Sequence, residues 1–382
     1  MQSTSIFKQF ISSEKSGGIL LIFCTLVSLL LANSSLGVQY LHFWHVSIAN
    51  QPLEYWINDG LMTVFFLLIG LELEREVYNG ELSSIKNALL PISGALGGMI
   101  VPALIYLFIN WGTDTQSGAG IPMATDIAFA LGILSLLGNK VPISLKIFLT
   151  ALAVIDDLGA ILVIAFFYTE EVFWGNLGIA MAIFGLMLLL NRLKVHNMIP
   201  YLILGVIMWY FMLHSGVHAT ITGVLLAFAM PFSAGDEKSP SILLQKYLHY
   251  PVAFIILPIF ALANTAIEFP SNVMSSLQST YAIGIALGLL LGKPFGIMLF
   301  SYLSVRFKMG VLPEGSNWKT ILGAGFLGGI GFTMSIFISL LAFSDHQIIN
   351  NSKIMILIAS LVAGIIGFSY LKFVLKENQE EA

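Results

Sequence analysis

Apolar runs of about 20 residues recur along the whole sequence and are separated by short polar breaks. A helix of about 20 apolar residues spans the hydrocarbon core of a bilayer, so the pattern predicts an all-α polytopic membrane protein. Composition agrees: 57% of the 382 residues are hydrophobic and 10% are charged, against about 25% charged in soluble domains. The net charge of −4 and scattered basic residues argue against nucleic-acid binding. The single cysteine, Cys24, excludes internal disulfides and cysteine-based metal sites.

The apolar runs predict twelve membrane-spanning helices in one domain covering residues 1–382. The spans lie near residues 14–33, 56–80, 88–109, 119–137, 143–169, 175–192, 199–214, 217–231, 247–268, 280–304, 320–343 and 352–375. The first run also has the basic start of a secretory signal peptide. We interpret it as a retained helix, because the segments that follow continue a consistent topology.

Basic residues support this count. We assign the loops alternately to the two sides of the membrane, starting with the N-terminus. Of the 17 basic residues, Lys293 falls within a span, Lys353 alone falls on the side opposite the N-terminus, and the rest fall on the side of the N-terminus. Cytoplasmic loops are rich in lysine and arginine, so both termini are predicted to be cytoplasmic.

The longest outside connection, residues 34–55, has two interpretations. Its stretch "VQYLHFWHVSIANQPL" alternates enough to predict a short hairpin near 38–52. Tyr40, Phe43 and Trp44 fit an interfacial aromatic belt equally well.

Four charged residues lie inside apolar runs. Asp156 and Asp157 are adjacent in "FLTALAVIDDLGAILVIAFF", Asp126 lies in "AGIPMATDIAFALGIL", and Lys293 lies in "LGLLLGKPFGIML". A carboxylate at the bilayer centre costs about 2.5–3.5 kcal/mol on insertion scales, so such residues are functional by default. Neighbours on a helix project about 100° apart. One aspartate of the pair is therefore expected to face a cavity shared with Asp126, and the other to face Lys293.

Spans 4 and 11 resemble each other in opposite orientation. "GIPMATDIAFALGILSLL" and "GIGFTMSIFISLL" both lead from glycine through threonine into an apolar end. Interrupted segments of opposite direction indicate inverted-topology repeats, here approximately 88–169 and 280–375, with two discontinuous helices crossing at the midplane. Asp126 would offset the positive helix ends at such a crossing and Lys293 the negative ends. The alternative for Gly325, Gly328, Gly329 and Gly331 is close helix packing.

Several motifs match one transporter family in the same order along nearly the full length. They are "YWINDGLMTVFFLLIGLE", "ATDIAFALGIL", "ALAVIDDLGAI", "HSGVHATITG", "GKPFG" and "GGIGFTMSIFI". The chain therefore resembles NhaA-type Na⁺/H⁺ antiporters. The resemblance implies a secondary transporter rather than an enzyme, which exchanges cytoplasmic Na⁺ or Li⁺ for external H⁺ across a bacterial inner membrane. It further implies electrogenic, pH-regulated exchange by alternating access, and a homodimer formed through residues 38–52.

The resemblance also implies roles for individual residues. Asp157 would carry Na⁺ and H⁺ with Asp126 as its partner and Thr125 beside the ion, while Asp156 would pair with Lys293. The remaining positions, implied in access or pH response, are Asp59 near the outer opening, Glu72, Arg75 and Glu76 at the cytoplasmic end of span 2, and His218.

Glu74 departs from the pattern of the family. The family resemblance leads us to expect a basic residue within the motif, but the chain reads "GLELERE". The departure puts the pH set-point in doubt rather than the exchange chemistry.

Competition for carboxylate oxygens explains how such a site exchanges ions. Sodium is a hard cation that prefers oxygen ligands. Burial and mutual repulsion favour the protonated form of carboxylic acids, so H⁺ and Na⁺ compete for one site. No Walker-type loop is present, so the proton gradient is the expected energy source and no cofactor is expected.

Structural roles and other functions are the alternatives. Asp156, Asp157 and Lys293 can be a satisfied buried cluster, Asp126 a dipole neutraliser, His218 a backbone-bonded residue, and "LELERE" a solvated helix end. Intramembrane aspartyl proteases also use two aspartates, but their "YD" and "GxGD" contexts are absent here. We find neither a polar pore nor a repeated filter, as a channel requires. A transporter of organic solutes fits the residues as well as an antiporter does.

Overall fold

The computed structural model describes residues 2–169, 171–233, 238–270 and 273–380. This part of the chain is almost entirely helical. We number the helices α1 (Gln2–Ala32), α2 (Gly37–Trp44), α3 (Leu53–Asn79), α4 (Ile85–Asn110), α5 (Ile127–Leu136), α6 (Ile143–Phe167), α7 (Trp174–Arg192), α8 (Met198–Leu213), α9 (Ile221–Ala229), α10 (Pro240–Asn264), α11 (Val273–Leu277), α12 (Thr280–Arg306), α13 (Trp318–Gly328), α14 (Phe332–Ala342) and α15 (His346–Glu380). Short 3₁₀ segments cover Glu81–Ser83, Gln116–Met123 and Gly138–Lys140, and two strands form β1 (Ser47–Ile48) and β2 (Gln51–Pro52).

The helices are consistent with a polytopic membrane protein. Eight helices of the described part are long and apolar enough to cross a bilayer, or ten if each of two bent helix pairs counts as one span. Helices α8 and α9 are shorter, with 16 and 9 residues. At 1.5 Å per residue these two helices extend about 24 and 14 Å, less than a hydrocarbon core of about 30 Å. The count of twelve spans therefore stays a prediction.

Helix α1 packs as an integral part of the fold. Leu21 is fully buried, and Ser28 Oγ donates a hydrogen bond of 2.7 Å to the carbonyl oxygen of Leu262 in α10. These contacts join α1 to α10.

The hairpin predicted over 38–52 is only partly correct. Residues 37–44 form the helix α2, in which the rings of Tyr40 and Trp44 lie edge to face with centroids 5.8 Å apart. The hairpin is confined to Ser47–Pro52, with Ala49 and Asn50 at positive φ in its turn. Apolar residues at positions 40 and 44 fit the helical period, and short apolar runs do not distinguish a helix from a strand by periodicity alone.

Helices α4 and α12 pack through facing glycines. A Cβ atom at Gly97 would collide with the carbonyl group of Gly296, and a Cβ at Gly296 would collide with that of Gly97. The absence of side chains therefore lets the two backbones touch, which is how small residues favour close helix packing in membranes. This contact holds α12, and with it Lys293, against α4.

We expect the variant Gly97→Ala to be less stable than the wild type by about 1–3 kcal/mol, the usual cost of overpacking. Gly178→Ala in α7 is the matched control, because a Cβ there has no atom within 4 Å and both variants gain the same helix propensity. Thermal unfolding in detergent should show a lower midpoint for Gly97→Ala only. Equal midpoints for the two variants would mean that α4 and α12 can move apart to fit the added methyl group without loss of stability.

Three helices contain a π-helical turn, at Trp56–Leu61 in α3, Val252–Ile256 in α10 and Gly288–Gly292 in α12. Pro258 follows the second turn by two residues, and Pro294 follows the third by two residues. Proline lacks an N–H group and interrupts the helical ladder, which accounts for these two turns. The turn in α3 contains Asp59.

Candidate functional site

Two irregular segments meet in the core. Ala124 and Asp126 are extended between the 3₁₀ segment Gln116–Met123 and α5, and residues 329–331 separate α13 from α14, which are bent by 48°. The backbone N–H of Asp126 donates to the carbonyl of Ile330 at 2.7 Å. Backbone groups freed by a helix break must be satisfied within the protein, and here each segment satisfies groups of the other.

A side-chain hydrogen bond adds to this crossing. Ser335 Oγ, in the first turn of α14, donates to the carbonyl of Ile121 at 2.7 Å. It satisfies a carbonyl group of the 3₁₀ segment with a group from the opposite segment. The crossing is therefore held by both backbone and hydroxyl donors.

Asp126 lies where the N-termini of α5 and α14 approach each other. Its Oδ1 accepts from the N–H of Phe129 at 2.9 Å, and its Oδ2 accepts from the N–H and the hydroxyl of Thr333 at 3.2 and 2.5 Å. Helix N-termini carry partial positive charge, so one carboxylate faces two positive ends. The geometry is that of the dipole neutraliser considered above, and a role in transport is a separate hypothesis.

Asp156 and Lys293 form a fully buried ion pair. Lys293 Nζ lies 2.7 Å from Asp156 Oδ2, and neither side chain is exposed. The same ammonium donates to the carbonyl of Met123, at the C-terminal end of the 3₁₀ segment. Thr125 Oγ1 lies 2.8 Å from Asp156 Oδ2 and 2.9 Å from the carbonyl of Gly328. The predicted partner of Lys293 is thus in contact with it, and Thr125 turns toward Asp156.

Asp157 has a different environment from its neighbour. It is fully buried, and neither of its carboxyl oxygens has a hydrogen-bond partner among the described residues. Asp126, Asp156, Lys293 and Glu72 are near enough to act electrostatically on its charge. A buried charge without a partner is strongly unfavourable. Such a group is stable only as the neutral acid or with a bound cation.

Any cation at Asp157 would need oxygen ligands of several kinds. Within the described residues, no three His, Cys, Asp or Glu side chains are arranged as a metal site. Asp126, Asp156 and Glu72 are the other carboxyl groups near enough to act on the charge of Asp157, and Asp156 already pairs with Lys293. Hydroxyl groups, backbone carbonyls and water would complete the shell of a hard monovalent cation.

The acidic end of α3 contacts α10. Glu72 and Glu74 are both buried, which contradicts a solvated helix end for these two residues. Glu72 Oε1 lies 3.9 Å from His249 Nδ1, and Glu74 Oε2 accepts from Ser241 Oγ at 2.5 Å. Glu74, the residue that departs from the family pattern, is therefore a buried link between two helices rather than an additional surface charge.

Arg75 forms an ion pair at the end of α3, beside this contact. Its guanidinium pairs with the neighbouring Glu76 at 3.1 Å, and both side chains are partly exposed. The ion pair lies at the solvated end of the same helix. The structure thus brings Glu72 together with His249, and Arg75 lies near enough to act electrostatically on both of them.

Asp59 and His218 lie away from the crossing. Asp59 is half-buried in the π-helical turn of α3, where its carbonyl accepts from Thr63 Oγ1 at 2.5 Å. His218 precedes α9, and its carbonyl accepts from the N–H of Ile221 at 3.2 Å.

A polar cluster near Asp59 was not predicted from the sequence. Lys353 Nζ is buried in α15 and lies 3.8 Å from Glu54 Oε1 and 3.5 Å from Asn264 Oδ1. Asn264 Nδ2 donates to Asn58 Oδ1 at 2.8 Å. The only signal for this cluster was the isolated position of Lys353 in the loop pattern.

Thr333, Ser335, Ser241 and His249 were also missed. Thr333 and Ser335 follow the glycine-rich break in "GGIGFTMSIF". Polar residues directly after such a break are a usable signal, because a helix N-terminus there needs a counter-charge. Ser241 and His249 offer no comparable signal in the sequence.

Comparison with known proteins identifies the family of the chain. Residues 8–371 match the sequence profile of the family described as Na⁺/H⁺ antiporter 1. The chain belongs to this family. The antiporter is accordingly a multi-pass membrane transporter rather than an enzyme, and family membership supports Na⁺/H⁺ exchange.

Similar proteins match the antiporter over nearly its full length. The Na⁺/H⁺ antiporter NhaA of Flavobacterium psychrophilum is 69% identical over 99% of this chain and 98% of its own. The Na⁺/H⁺ antiporter NhaA 1 of Flavobacterium johnsoniae is 62% identical over 99% of this chain and 100% of its own. The Na⁺/H⁺ antiporter NhaA of Cytophaga hutchinsonii is 60% identical over 99% and 97%.

Proposed function

We propose that the antiporter exchanges cytoplasmic Na⁺ or Li⁺ for external H⁺ at a site formed by Asp157 and Asp126. The observation that carries the proposal is Asp157 itself, a fully buried carboxyl group whose two oxygens have no partner among the described residues. Its neighbour Asp156 is already neutralised by Lys293. Asp157 is thus the carboxylate of the pair that is free to take a proton or a sodium ion.

Exchange follows if the transporter switches the opening of the site from one side of the membrane to the other only when a bound proton or cation neutralises its carboxylates. A proton and a sodium ion compete for the same oxygens, so release of one permits binding of the other. Two carboxylic acids that lose two protons when one Na⁺ binds would move one net charge per cycle. The proposed exchange is therefore electrogenic, and the membrane potential contributes to its driving force.

The proposed architecture is an alternating-access transporter with inverted repeats at about 88–169 and 280–375. Support comes from the hydrogen bonds between the segment before α5 and the segment before α14, one from each repeat. In such folds one bundle rocks against the other around a fixed central site. Twelve spans with both termini in the cytoplasm belong to the same proposal.

The proposed pH response lies in the contact between α3 and α10. Glu72 and His249 face each other there, and Glu74 is held by Ser241. Both side chains are ionisable, so a change in the charge of either one would change the attraction between the two helices. Arg75, Glu76 and His218 are further candidates for this response, and Asp59 for access from outside.

The proposed homodimer uses residues 38–52. The hairpin β1–β2 has only two strands, so both of its outer edges are unpaired within the sheet, and such edges favour pairing with another chain. Ser47, Ile48 and Gln51 are exposed. These features support pairing of hairpins from two protomers.

The function is tested by Na⁺-driven proton movement in proteoliposomes. Purified antiporter with an internal pH dye should show proton flux when Na⁺ or Li⁺ is added and none with choline. The flux should respond to an imposed membrane potential if exchange is electrogenic. Flux without a response to the potential would contradict the charge imbalance, and no flux with any alkali cation would contradict the function itself.

Thr333→Val should weaken Na⁺ binding without abolishing exchange. The hydroxyl of Thr333 donates to Asp126 at 2.5 Å, and a hydrogen bond to a charged group contributes about 1.5–3 kcal/mol. We expect the apparent KM for Na⁺ to rise by about ten-fold, measured from the Na⁺ dependence of proton flux. Thr333→Ser keeps the donor and serves as the control. An unchanged KM in the valine variant would mean that Asp126 does not contribute to Na⁺ binding.

A further inference from the structure

A cavity of about 340 Å³ lies between helices α3, α8 and α9. Its walls are formed mainly by apolar side chains and glycines, and none of the ionisable residues of the candidate site lines it. Leu202 and Val206 at its edge are 36% and 67% exposed. In a membrane protein these exposed aliphatic side chains face lipid, so the cavity opens sideways toward the bilayer.

Two buried polar atoms of this cavity have no partner. Trp209 and Thr222 both line it, and neither Trp209 Nε1 nor Thr222 Oγ1 has a hydrogen-bond partner among the described residues. Leaving a buried donor unsatisfied costs about 1–3 kcal/mol. Apolar cavities exclude water, so the expected occupant is mostly apolar but carries at least one hydrogen-bond acceptor.

Gly60 has no side chain to fill the part of the cavity beside it. A Cβ atom added at Gly60 would have no atom within 4 Å, whereas one at Gly205 would lie 2.6 Å from Leu226 and one at Gly223 would press on the backbone of Thr63. The last two glycines are thus explained by helix packing. Gly60 is not, and its missing side chain leaves space for a ligand.

We propose that this cavity binds one acyl chain of a membrane phospholipid, whose ester carbonyl accepts a hydrogen bond from Trp209 Nε1. Trp209 lies four residues before the end of α8 at Leu213, about 6 Å along the helix axis. Tryptophan is enriched at the boundary between hydrocarbon and headgroups, where ester groups are found. A phospholipid therefore supplies both the apolar chain and the acceptor at the required depth.

The proposed site touches the helix that carries Asp59. Gly60 belongs to the same π-helical turn, and Thr63, which bonds the carbonyl of Asp59, also lines the cavity. The proposal rests on insertion in a bilayer and not on ion exchange by the aspartates. Its failure and the failure of the proposed function are therefore separate results.

Fluorescence quenching by brominated lipid tests the site. The antiporter is reconstituted in phosphatidylcholine with bromine atoms near either the ester end or the methyl end of the acyl chains. The signal of Trp209 is the difference between the wild type and Trp209→Phe, since the chain has six tryptophans. We expect bromine near the ester end to quench this signal more strongly, and Gly60→Leu to remove most of the quenching.

Gly178→Leu in α7 is the matched control, because a Cβ there also has no atom within 4 Å. It should leave the quenching of Trp209 unchanged. Val206→Phe provides a second block at the exposed edge of the cavity if Gly60→Leu does not insert. An unquenched Trp209 signal, or equal quenching in the blocked and control variants, would overturn the proposal.

A second copy of the chain is the competing occupant. In that case lipid bromine would not reach Trp209, and its emission would change when the protein is diluted from oligomer to monomer in detergent. Such a result would also overturn the lipid site.

Discussion

Asp157→Asn is expected to reduce Na⁺-dependent proton flux by at least about 100-fold, a loss of about 2.7 kcal/mol of stabilisation of the loaded site. The amide has nearly the shape of the acid but takes up neither a proton nor a sodium ion as a carboxylate does. Because the oxygens of Asp157 bond to no described residue, the substitution breaks no hydrogen bond of the described fold. The measurement is proton flux in proteoliposomes across neutral pH, at equal amounts of inserted protein.

The control for this variant is Asp114→Asn. Asp114 is exposed in the connection after α4, so the same chemical change there should leave flux unchanged. Retained Na⁺/H⁺ exchange by Asp157→Asn would contradict the proposed role of Asp157 as carrier. Thermal unfolding shows whether a loss of flux comes from a loss of folded protein. We expect the unfolding temperature of Asp157→Asn to be near that of the wild type.

Lys293→Met is expected to lower the free energy of unfolding by about 3–5 kcal/mol, the usual cost of breaking one side of a buried ion pair. The substitution leaves Asp156 without its counter-charge and the carbonyl of Met123 without its donor. Methionine is similar in length and apolar, so little volume is lost. The effect on stability therefore reports the loss of the charge and its hydrogen bonds rather than a loss of packing volume.

A double-mutant cycle makes this prediction sharper. Asp156→Asn combined with Lys293→Met removes both charges, so the double variant should be more stable than Lys293→Met alone. Cys24, the only cysteine, is buried, and its labelling by a thiol-reactive dye reports thermal unfolding directly. Lys140→Met, at an exposed position, is the control. Equal unfolding temperatures for the wild type, the single variants Lys293→Met and Asp156→Asn, and the double variant would mean that the pair contributes no net stability.

The buried charges were predictable from the sequence because they interrupt apolar runs. Asp126, Asp156, Asp157 and Lys293 were all identified in this way, and helical spacing alone assigned different surroundings to the adjacent aspartates. The structure then showed which of the two meets Lys293. Residue type and position within a span were sufficient here, since an ion inside a membrane is costly and rarely incidental.

The contacts that complete the crossing were not predictable. The glycine-rich break points to Thr333 and Ser335, but the carbonyls of Ile121, Ile330 and Met123 carry no sequence signature. Their partners depend on how two segments separated by about 200 residues meet. Hydrogen bonds between distant segments follow from tertiary packing, which local pattern does not encode.

The helix α2 was missed and the buried state of Glu74 was misjudged for similar reasons. Residues 38–44 are too few to distinguish the two periodicities. Glu74 seemed to be an additional surface carboxylate because it lies beside other charged residues at a helix end. Burial came instead from α10, whose Ser241 satisfies the carboxylate.

The backbone hydrogen bond between Asp126 and Ile330 separates the scaffold from the chemistry it supports. The bond joins main-chain atoms, so it persists whatever side chains occupy the two positions. Relatives of this fold can therefore change the ion they carry by exchanging side chains at the crossing while the two segments stay tied together. A change of transported ion among such transporters therefore needs different side chains at the crossing, while the backbone contact between the two segments is kept.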